Sequence, residues 1–325
     1  MRTFLFLALR TPELTARLVR AAARSRATVV LDLEDALWDV TDPARTAELK
    51  ATGRATLVAL ARDHPELFRR QPVGVRVNRV AGDDAEQDFE AIERVSALVP
   101  VACVVIPKVE SADDIAAART RIRRLGLPPE AIVPILETRS ALAALDSLLP
   151  AARSAGVEWI VFGFFDFALD SGWWPFPDRH GDELWAVIRP FLERVEDAGM
   201  RYIEAPYAQV DDDAGLVRIL DRLERTCDRE FGVLTVGLGQ ASVAQRFAAG
   251  RALVRVGSAV GAPGHAGVAA GPVRDALDQA LRVVEVYDAR HRPDTSFVFD
   301  PETGQFIPPH VYLGARRYLA AHHRA

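Results

Sequence analysis

The chain has 325 residues, a net charge of −5 and a hydrophobic content of 49%, and these values exclude several classes of protein. Acidic and basic residues are interspersed, so no basic surface for nucleic acid is expected. No stretch approaches the roughly 20 apolar residues of a transmembrane helix, so we expect no membrane span. The length is sufficient for one large domain or two modest ones.

The apolar start of the chain, Met1 to Leu9, is predicted to be a first strand rather than a signal peptide. Only about eight apolar residues follow a single arginine, and no small-residue cleavage pattern comes after them. Cys103 and Cys227 are isolated, which argues against a disulfide framework and a cysteine metal site. The predicted location is the cytoplasm.

Strand-like and helix-like segments then alternate along the chain. The predicted strands are Thr3–Leu9, Thr28–Leu31, Val73–Val77, Val101–Ile106, Ala131–Leu136, Glu158–Phe162, Arg201–Ala205 and Val233–Leu238. Each of the first seven is followed by a segment of helical period. Thr11 before Pro12, and Ser111 with Asp114, are helix-start signals. The last predicted helices are Gln240–Gly250, Val273–Ala289 and Pro309–Ala321.

Eight strands with intervening helices over about 240 residues predict a (β/α)8 TIM barrel. A doubly wound open sheet is the alternative, but the turn after the first strand lacks its usual glycine. We assign residues 1–250 to the barrel and 251–325 to a C-terminal helical extension. This extension is predicted to pack on a neighbouring subunit or to cover the barrel mouth. The stretch Gly257–Gly271 lacks the ending of a phosphate loop and is predicted to be a connection.

Polar residues follow several predicted strands at the end where a barrel carries its active site. Asp32, Glu34 and Asp35 come directly after the second strand, where a solvated loop accounts poorly for three acids. The other polar residues at strand ends are Arg76, Asn78, Lys108, Glu110, Glu137 and Asp166. These side chains are therefore predicted to converge on one mouth.

The residue types limit what each side chain can do. Glu137 and Asp166 follow neighbouring strands, so they can share a hard divalent cation such as Mg2+, or each can cap the helix that follows it. Arg76 and Asn78 are expected to point to the same side of their strand. The guanidinium of Arg76 needs a partner, which is either a substrate carboxylate or the acids of the second strand. Lys108 is predicted to form an ion pair rather than a Schiff base.

Other motifs carry less chemistry. The chain has seven histidines, and their spacing predicts no zinc site. A Gly-x-Ser-x-Gly nucleophile motif is missing from the sequence. The aromatic loop from Trp173 to Phe176 is predicted to be either a lid or a packing plug.

Several segments occur in an order and at a spacing that identify a family. They are Leu31–Ala36, Val75–Asn78, Ile106–Ser111, Ile135–Thr138 and Phe162–Asp166. Over roughly residues 1–220 the chain resembles the citrate lyase β-subunit and malyl-CoA lyase group of the HpcH/HpaI aldolase family. The resemblance implies a (β/α)8 barrel that uses Mg2+, with Mn2+ as an alternative. It also implies that carbon–carbon bonds are cleaved or formed next to a carboxylate.

The resemblance also implies roles for individual residues. Glu137 and Asp166 would hold the metal, and Arg76 would bind substrate oxygens. Glu34 and Asp35 would be catalytic by orienting metal-bound water or the base, and a water held by either could take the substrate's hydroxyl proton. The remaining predicted substrate-binding residues are Arg2, Lys108 and Asn78.

The predicted activity is that of a lyase or aldolase acting on a small 2-oxo or 3-hydroxy carboxylate through an enolate. Pro308 stands where the CoA-using members carry an acid near the C-terminus, which counts against a CoA thioester substrate. The alternatives are an acyl-CoA lyase or thioesterase, and an inactive metal-binding scaffold subunit. The resemblance implies a homo-oligomer, a trimer or a hexamer, in which the tail reaches a neighbour.

Overall fold

The computed structural model describes residues 1–254, 273–292 and 296–322. Eight parallel strands close into a barrel in chain order. They are β1 (Arg2–Ala8), β2 (Thr28–Asp32), β3 (Val73–Arg76), β4 (Val104–Ile106), β5 (Ile132–Leu136), β6 (Trp159–Phe162), β7 (Arg201–Glu204) and β8 (Gly232–Thr235). The predicted (β/α)8 barrel with C-terminal helices is confirmed.

Helices surround the barrel and continue beyond it. They are α1 (Pro12–Ala22), α2 (Pro43–Asp63), α3 (Pro65–Arg70), α4 (Asp83–Ser96), α5 (Ala112–Arg124), α6 (Arg139–Ala143), α7 (Leu145–Ser154), α8 (Phe164–Asp170), α9 (Asp182–Asp197), α10 (Asp213–Thr226), α11 (Leu238–Val254), α12 (Val273–Arg290) and α13 (Pro309–His322). The predicted start signals operate, since Thr11 caps α1 and Ser111 forms a capping box with Asp114. Within the described ranges, no helix is both long and apolar enough to cross a membrane.

Strand alternation divides the core into two layers and sets the direction of the residues that follow. Val30 faces the barrel interior, whereas Val29 and Leu31 pack against the surrounding helices. The same alternation turns Asp32 toward the interior at the carboxyl end of β2. The register of β2 and β3 places Asp32 directly beside Arg76. A buried acid and a buried base thus become neighbours at the mouth.

The C-terminal segment packs on the barrel of its own chain. A hairpin of β9 (Val298–Asp300) and β10 (Gln305–Ile307) precedes α13, which contacts α8 and α12. The predicted boundary at residue 250 falls inside α11, so the helix crosses it without a break. The predicted connection Gly257–Gly271 lies outside the described residues.

The aromatic loop after α8 joins this segment to the barrel. The indole nitrogen of Trp174 donates to the carbonyl of Ala276 at 3.1 Å, and its ring lies 6.3 Å from that of Tyr318. A Cβ added to Gly314 of α13 would lie 2.8 Å from the ring of Phe176, so the helix and the loop approach closely here. These contacts favour the packing plug over the lid.

Candidate active site

A cavity of about 420 Å³ lies at the carboxyl ends of the strands, a size suited to a small molecule. Its polar wall contains Asp32, Asp35, Arg76, Glu137 and Asp166. Its apolar wall includes Phe6, Ile135, Val161 and Leu234, which continue the interior of the barrel. The C-terminal segment adds Phe297, Phe306, Pro308 and His310. The segment therefore covers the mouth of its own barrel.

Arg76 is surrounded by the acids that follow β2. Its Nε donates to Oδ1 of Asp32 at 2.7 Å, and its Nη1 donates to Oδ2 of Asp35 at 2.9 Å. Nη1 also lies 2.9 Å from Oε2 of Glu34. The sequence offered two partners for this guanidinium, a substrate carboxylate and the acids of the second strand. The structure shows the acids of the second strand. Arg76 still lines the cavity, so its role toward a substrate stays a prediction.

Lys108 links the two halves of the polar wall. Its Nζ pairs with Glu34 and lies 3.5 Å from Oδ1 of Asp166. Its backbone nitrogen donates to Oε1 of Glu137 at 2.8 Å. The residue has a φ of +52°, in the left-handed region that costs an L-residue about 1–2 kcal/mol. Strained backbone of this kind is concentrated at functional sites.

Glu137 and Asp166 do not cap the helices that follow them, because other residues do. The hydroxyl of Thr138 caps α6, and Gly163 stands at the N-cap of α8. A Cβ at Gly163 would lie 2.2 Å from Oε2 of Glu137, so only glycine leaves room for this carboxylate. The capping alternative is therefore wrong for both acids.

His310 is a site residue that the sequence reasoning missed. It lies in the first turn of α13, is 4% exposed and lines the cavity. Its Nε2 is 3.0 Å from Oδ2 of Asp166 and 3.7 Å from Oδ1 of Asp35. One signal was present in the sequence, because His310 comes two residues after Pro308, where the family's tail acid was sought.

Burial raises the pKa of two of these carboxyl groups. For Glu34, burial and the neighbouring Asp35 raise the pKa from 4.5 to about 7, against the opposing charges of Lys108 and Arg76. For Glu137, burial and then the charge of Asp166 raise the pKa well above its ordinary value. Glu34 can therefore hold a proton near neutral pH.

Asp35 and Asp166 stay ionised although they are also buried. Burial alone would raise the pKa of Asp35, but Arg76 and Lys108 hold it well below its usual range. Burial likewise opposes ionisation of Asp166, yet His310 and Lys108 lower its pKa. In return, Asp166 and Asp35 raise the pKa of His310 against the effect of burial. The mouth thus contains acids whose pKa values are shifted in opposite directions, upward for Glu34 and Glu137 and downward for Asp35 and Asp166.

The residues fit a divalent cation. Donor atoms of Asp35, Asp166 and His310 all lie within 4.8 Å of one another. The mouth holds five carboxylates, Asp32, Glu34, Asp35, Glu137 and Asp166, against the permanent charges of Arg76 and Lys108. Carboxyl groups must be deprotonated to bind a metal, so a cation here would displace protons from those whose pKa is raised. Ligation by Glu137 stays a prediction, since its donor atoms are outside this group of three.

Two predicted substrate-binding residues lie elsewhere. Arg2 begins β1, pairs in register with Gly232 and places its guanidinium over the ring of Trp159 at 5.1 Å. This is the amino end of the barrel, opposite the cavity, so the prediction that Arg2 binds substrate is wrong.

Asn78 lies two residues after the end of β3, where side chains no longer alternate strictly between the two faces of the strand. Its amide donates to the carbonyl of Leu33 at 2.9 Å and to Oδ2 of Asp88, on α4, at 2.8 Å. The side chain therefore binds the helix layer and is not among the residues lining the cavity. The prediction that Asn78 binds substrate is corrected by this placement.

Solved structures with a similar fold include a malate synthase and a citrate lyase β subunit. The malate synthase of Haloferax volcanii, solved as a pyruvate/acetyl-CoA ternary complex, has a TM-score of 0.69 and 17% identity, covering 98% of this chain and 90% of that one. The citrate lyase β subunit of M. tuberculosis, complexed with oxaloacetate and magnesium, has a TM-score of 0.53 and 20% identity, covering 75% and 95%. RipC of Yersinia pestis has a TM-score of 0.53 and 21% identity, covering 76% and 94%. At these identities the likeness shows the fold alone.

A comparison of sequences is more specific. Among curated proteins, none matches this chain. The family model for HpcH/HpaI aldolase/citrate lyase matches residues 2–221, which is more than half of the chain. The motifs after β2 to β6, which carried the resemblance, all lie inside the matched range. The chain belongs to the HpcH/HpaI aldolase/citrate lyase family.

Proposed function

We propose that this chain is a divalent-metal-dependent lyase or aldolase. It cleaves or forms a carbon–carbon bond next to the carboxylate of a small 2-oxo or 3-hydroxy acid. The observation that carries the proposal is the convergence of Asp35, Glu137, Asp166, Lys108 and Arg76 at the barrel mouth. The solved relatives with oxaloacetate and magnesium, or with magnesium and glyoxylate, support this substrate class.

The metal supplies one part of the proposed chemistry. Glu137 and Asp166, with Asp35 beside them, would hold Mg2+ or Mn2+. When bound, the ion supplies positive charge that stabilises an enolate as the carbon–carbon bond breaks.

The chain's own residues supply the rest. Lys108, whose side chain is 28% exposed, can donate a hydrogen bond to a substrate carboxylate. Arg76 adds positive charge to the wall and holds Asp35 in place. Glu34, whose pKa is raised to about 7, can orient a water that takes the substrate's hydroxyl proton. Asp35 remains ionised, so its role is to position other groups rather than to act as the base.

The second candidate is an acyl-CoA lyase or thioesterase. The likeness to a malate synthase solved with acetyl-CoA, over 98% of this chain, favours it. Against it, Pro308 lines the cavity and can neither transfer a proton nor donate a backbone hydrogen bond. We therefore propose a free acid, rather than a CoA thioester, as the first candidate for the substrate.

Two further features belong to the proposal. We expect a homo-oligomer, a trimer or a hexamer, which light scattering on the eluting protein measures. Cys103 and Cys227 form no disulfide in the described part of the chain, which agrees with the proposed location in the reducing cytoplasm.

Turnover measurements with a panel of free 2-oxo and 3-hydroxy acids and their CoA esters, in the presence of Mg2+, test the proposal. The wild type is expected to turn over at least one free acid, whereas Asp166→Asn is not. Activity on CoA esters alone would overturn the first candidate in favour of the second. If no substrate is turned over although metal and acid bind, the chain is a scaffold.

Calorimetry of Mg2+ with a 2-oxo acid tests the metal ligands separately. Glu137→Gln is expected to weaken binding of both. Unchanged binding in this variant means that Glu137 is not a ligand.

A further inference from the structure

A histidine from the far end of the chain reaches the group of acids at the mouth. His310 lies on α13, which packs against α8, the helix that carries Asp166. Its ring lies between Trp38, at a centroid distance of 5.5 Å, and Phe165, at 6.4 Å. These aromatic contacts hold the ring in a position that directs Nε2 toward the acids.

The contacts of this ring are close but poorly aligned for hydrogen bonding. Nε2 is 3.0 Å from Oδ2 of Asp166 and 3.7 Å from Oδ1 of Asp35. Within the described part of the chain, neither ring nitrogen has a hydrogen-bond partner, although the residue is only 4% exposed. Nε2 is close enough to Asp166 for an ion pair when the ring is protonated, and the same nitrogen in the neutral ring is placed to share a cation with the two acids.

We infer that His310 is a protein ligand of the divalent cation, alongside Asp35 and Asp166. The ligand comes from the C-terminal segment of the same chain. The site therefore favours a first-row transition ion such as Mn2+ or Co2+ over Mg2+. This inference rests on the proposed function, because the cation is the one assigned there to the reaction.

The spacing of the donor atoms supports this assignment. Two ligands at right angles, each about 2.1 Å from a small divalent ion, lie about 3 Å apart. The 3.0 Å between His310 and Asp166 matches that spacing, and the 3.7 Å to Asp35 is within a small movement of it. Lys108 leaves the position of the ion between these donor atoms open. Its Nζ pairs with Glu34 and lies 3.5 Å from Asp166 and 4.0 Å from Asp35.

The chemistry of the donors supports the ion preference. Carboxylates and water suit Mg2+, whereas an imidazole nitrogen increases affinity along the series from Mn2+ to Co2+ and Ni2+. One histidine among carboxylates therefore shifts the preference without removing Mg2+ binding.

Electron spin echo measurements on bound Mn2+ test the ligand directly. We expect modulation from a coupled nitrogen in the full-length wild type, and we expect it to change when all histidines carry 15N. This measurement needs no variant that must fold. His310→Gln is expected to lose the modulation, whereas His322→Gln, which changes an exposed histidine bound to the Tyr318 carbonyl, is expected to keep it.

Calorimetry with Co2+ alone and with Mg2+ alone tests the preference. We expect the ratio of Co2+ to Mg2+ affinity to fall on the order of tenfold in His310→Gln and to stay unchanged in His322→Gln. Mn2+ binding to the wild type without nitrogen modulation would overturn this inference and leave the proposed function standing. Failure of the wild type to bind any of the three ions would overturn both.

Discussion

Two clusters of charge in this molecule, one partly buried and one at the barrel mouth, have similar residues but different balance. The α2–α4 network consists of Lys50, Arg54, Asp84 and Asp88 between α2 and α4. Arg54 donates to Oδ1 of Asp88 at 2.7 Å and to Oδ1 of Asp84 at 2.6 Å, and Lys50 donates to Asp84 at 2.8 Å. Asp88 also accepts from the backbone nitrogen of Asn78 at 2.7 Å. Two cations meet two acids, so the network is electrically neutral.

The mouth of the barrel is not balanced in this way. Its carboxylates outnumber the permanent cations Arg76 and Lys108, and its cavity leaves space for a ligand. His310 adds a ring without hydrogen-bonded partners among the described residues. A balanced buried cluster fastens helices together, whereas an unbalanced one beside a cavity indicates that something else binds there.

The largest expected effect separates the two clusters by activity. Asp166→Asn removes a carboxylate from the mouth and is expected to lower kcat/KM on the order of 100-fold or more. Asp84→Asn removes one from the α2–α4 network and is expected to leave activity within about twofold. Steady-state kinetics on the best substrate of the panel measures both. Equal losses would mean that the clusters do not differ in function.

The second effect separates them by stability. Asp88→Ala removes the buried carboxylate that accepts from Nε of Arg54 and from the backbone nitrogen of Asn78, and it is expected to cost about 3 kcal/mol of unfolding free energy. Glu137→Gln relieves a carboxyl whose pKa is raised by burial, and is expected to gain about 1 kcal/mol in the absence of metal. Urea unfolding with a chelator present measures both. A comparable loss in Glu137→Gln would show that its charge is already paired.

The third effect comes from the metal. Mg2+ at about 100 times its dissociation constant is expected to stabilise the wild type by about 2.7 kcal/mol. Asp84→Asn should gain the same stabilisation, and Asp166→Asn should gain little. Thermal unfolding with and without Mg2+ tests this, and equal stabilisation of all three proteins would place the ion outside the mouth.

The fourth effect is a difference in pH dependence, measured with a chelator present. Because the folded pKa of Glu34 is raised to about 7, the stability of the wild type relative to Glu34→Gln is greatest below pH 4.5 and is lost as pH rises toward 7. The slope is at most about 1.4 kcal/mol per pH unit.

Asp84 is expected to show the opposite sign. Burial would raise its pKa, but Lys50 and Arg54 lower it below 3.8, so the advantage of the wild type over Asp84→Asn is present above that pH and is lost as pH falls. Its side chain is 38% exposed, so solvent screening keeps this effect small. Unfolding curves from pH 3 to about 8 measure both pairs, and slopes of the same sign would contradict the comparison.

The barrel was predictable because its signals are local. Runs such as Val29–Leu31 mark buried strands, and Thr11 and Ser111 mark helix starts that the structure retains. The position of the mouth followed from the same pattern, since the eight barrel strands are parallel and their carboxyl ends meet.

The sequence predicted less well which end of the barrel, or which layer of the core, an individual side chain occupies. Arg2 was expected at the mouth but lies at the opposite end, because position along a strand sets which end of the barrel a residue occupies. Asn78 was expected in the cavity but binds Asp88, because alternation stops where the strand stops. His310 was missed because it contacts residues far from it in the sequence, and no local pattern indicates such contacts.

The sequence by itself determined the family, the strand order and the acids that follow each strand, because periodicity and motif spacing are properties of neighbouring residues. Only the tertiary structure decided which of these acids share a cavity. It paired Arg76 with the acids of the second strand, directed Lys108 between the two halves of the wall and brought the ring of His310 to Asp166. The physical reason is that barrel closure and the return of α13 create contacts between residues far apart in the chain, and those contacts decide where negative charge remains uncompensated.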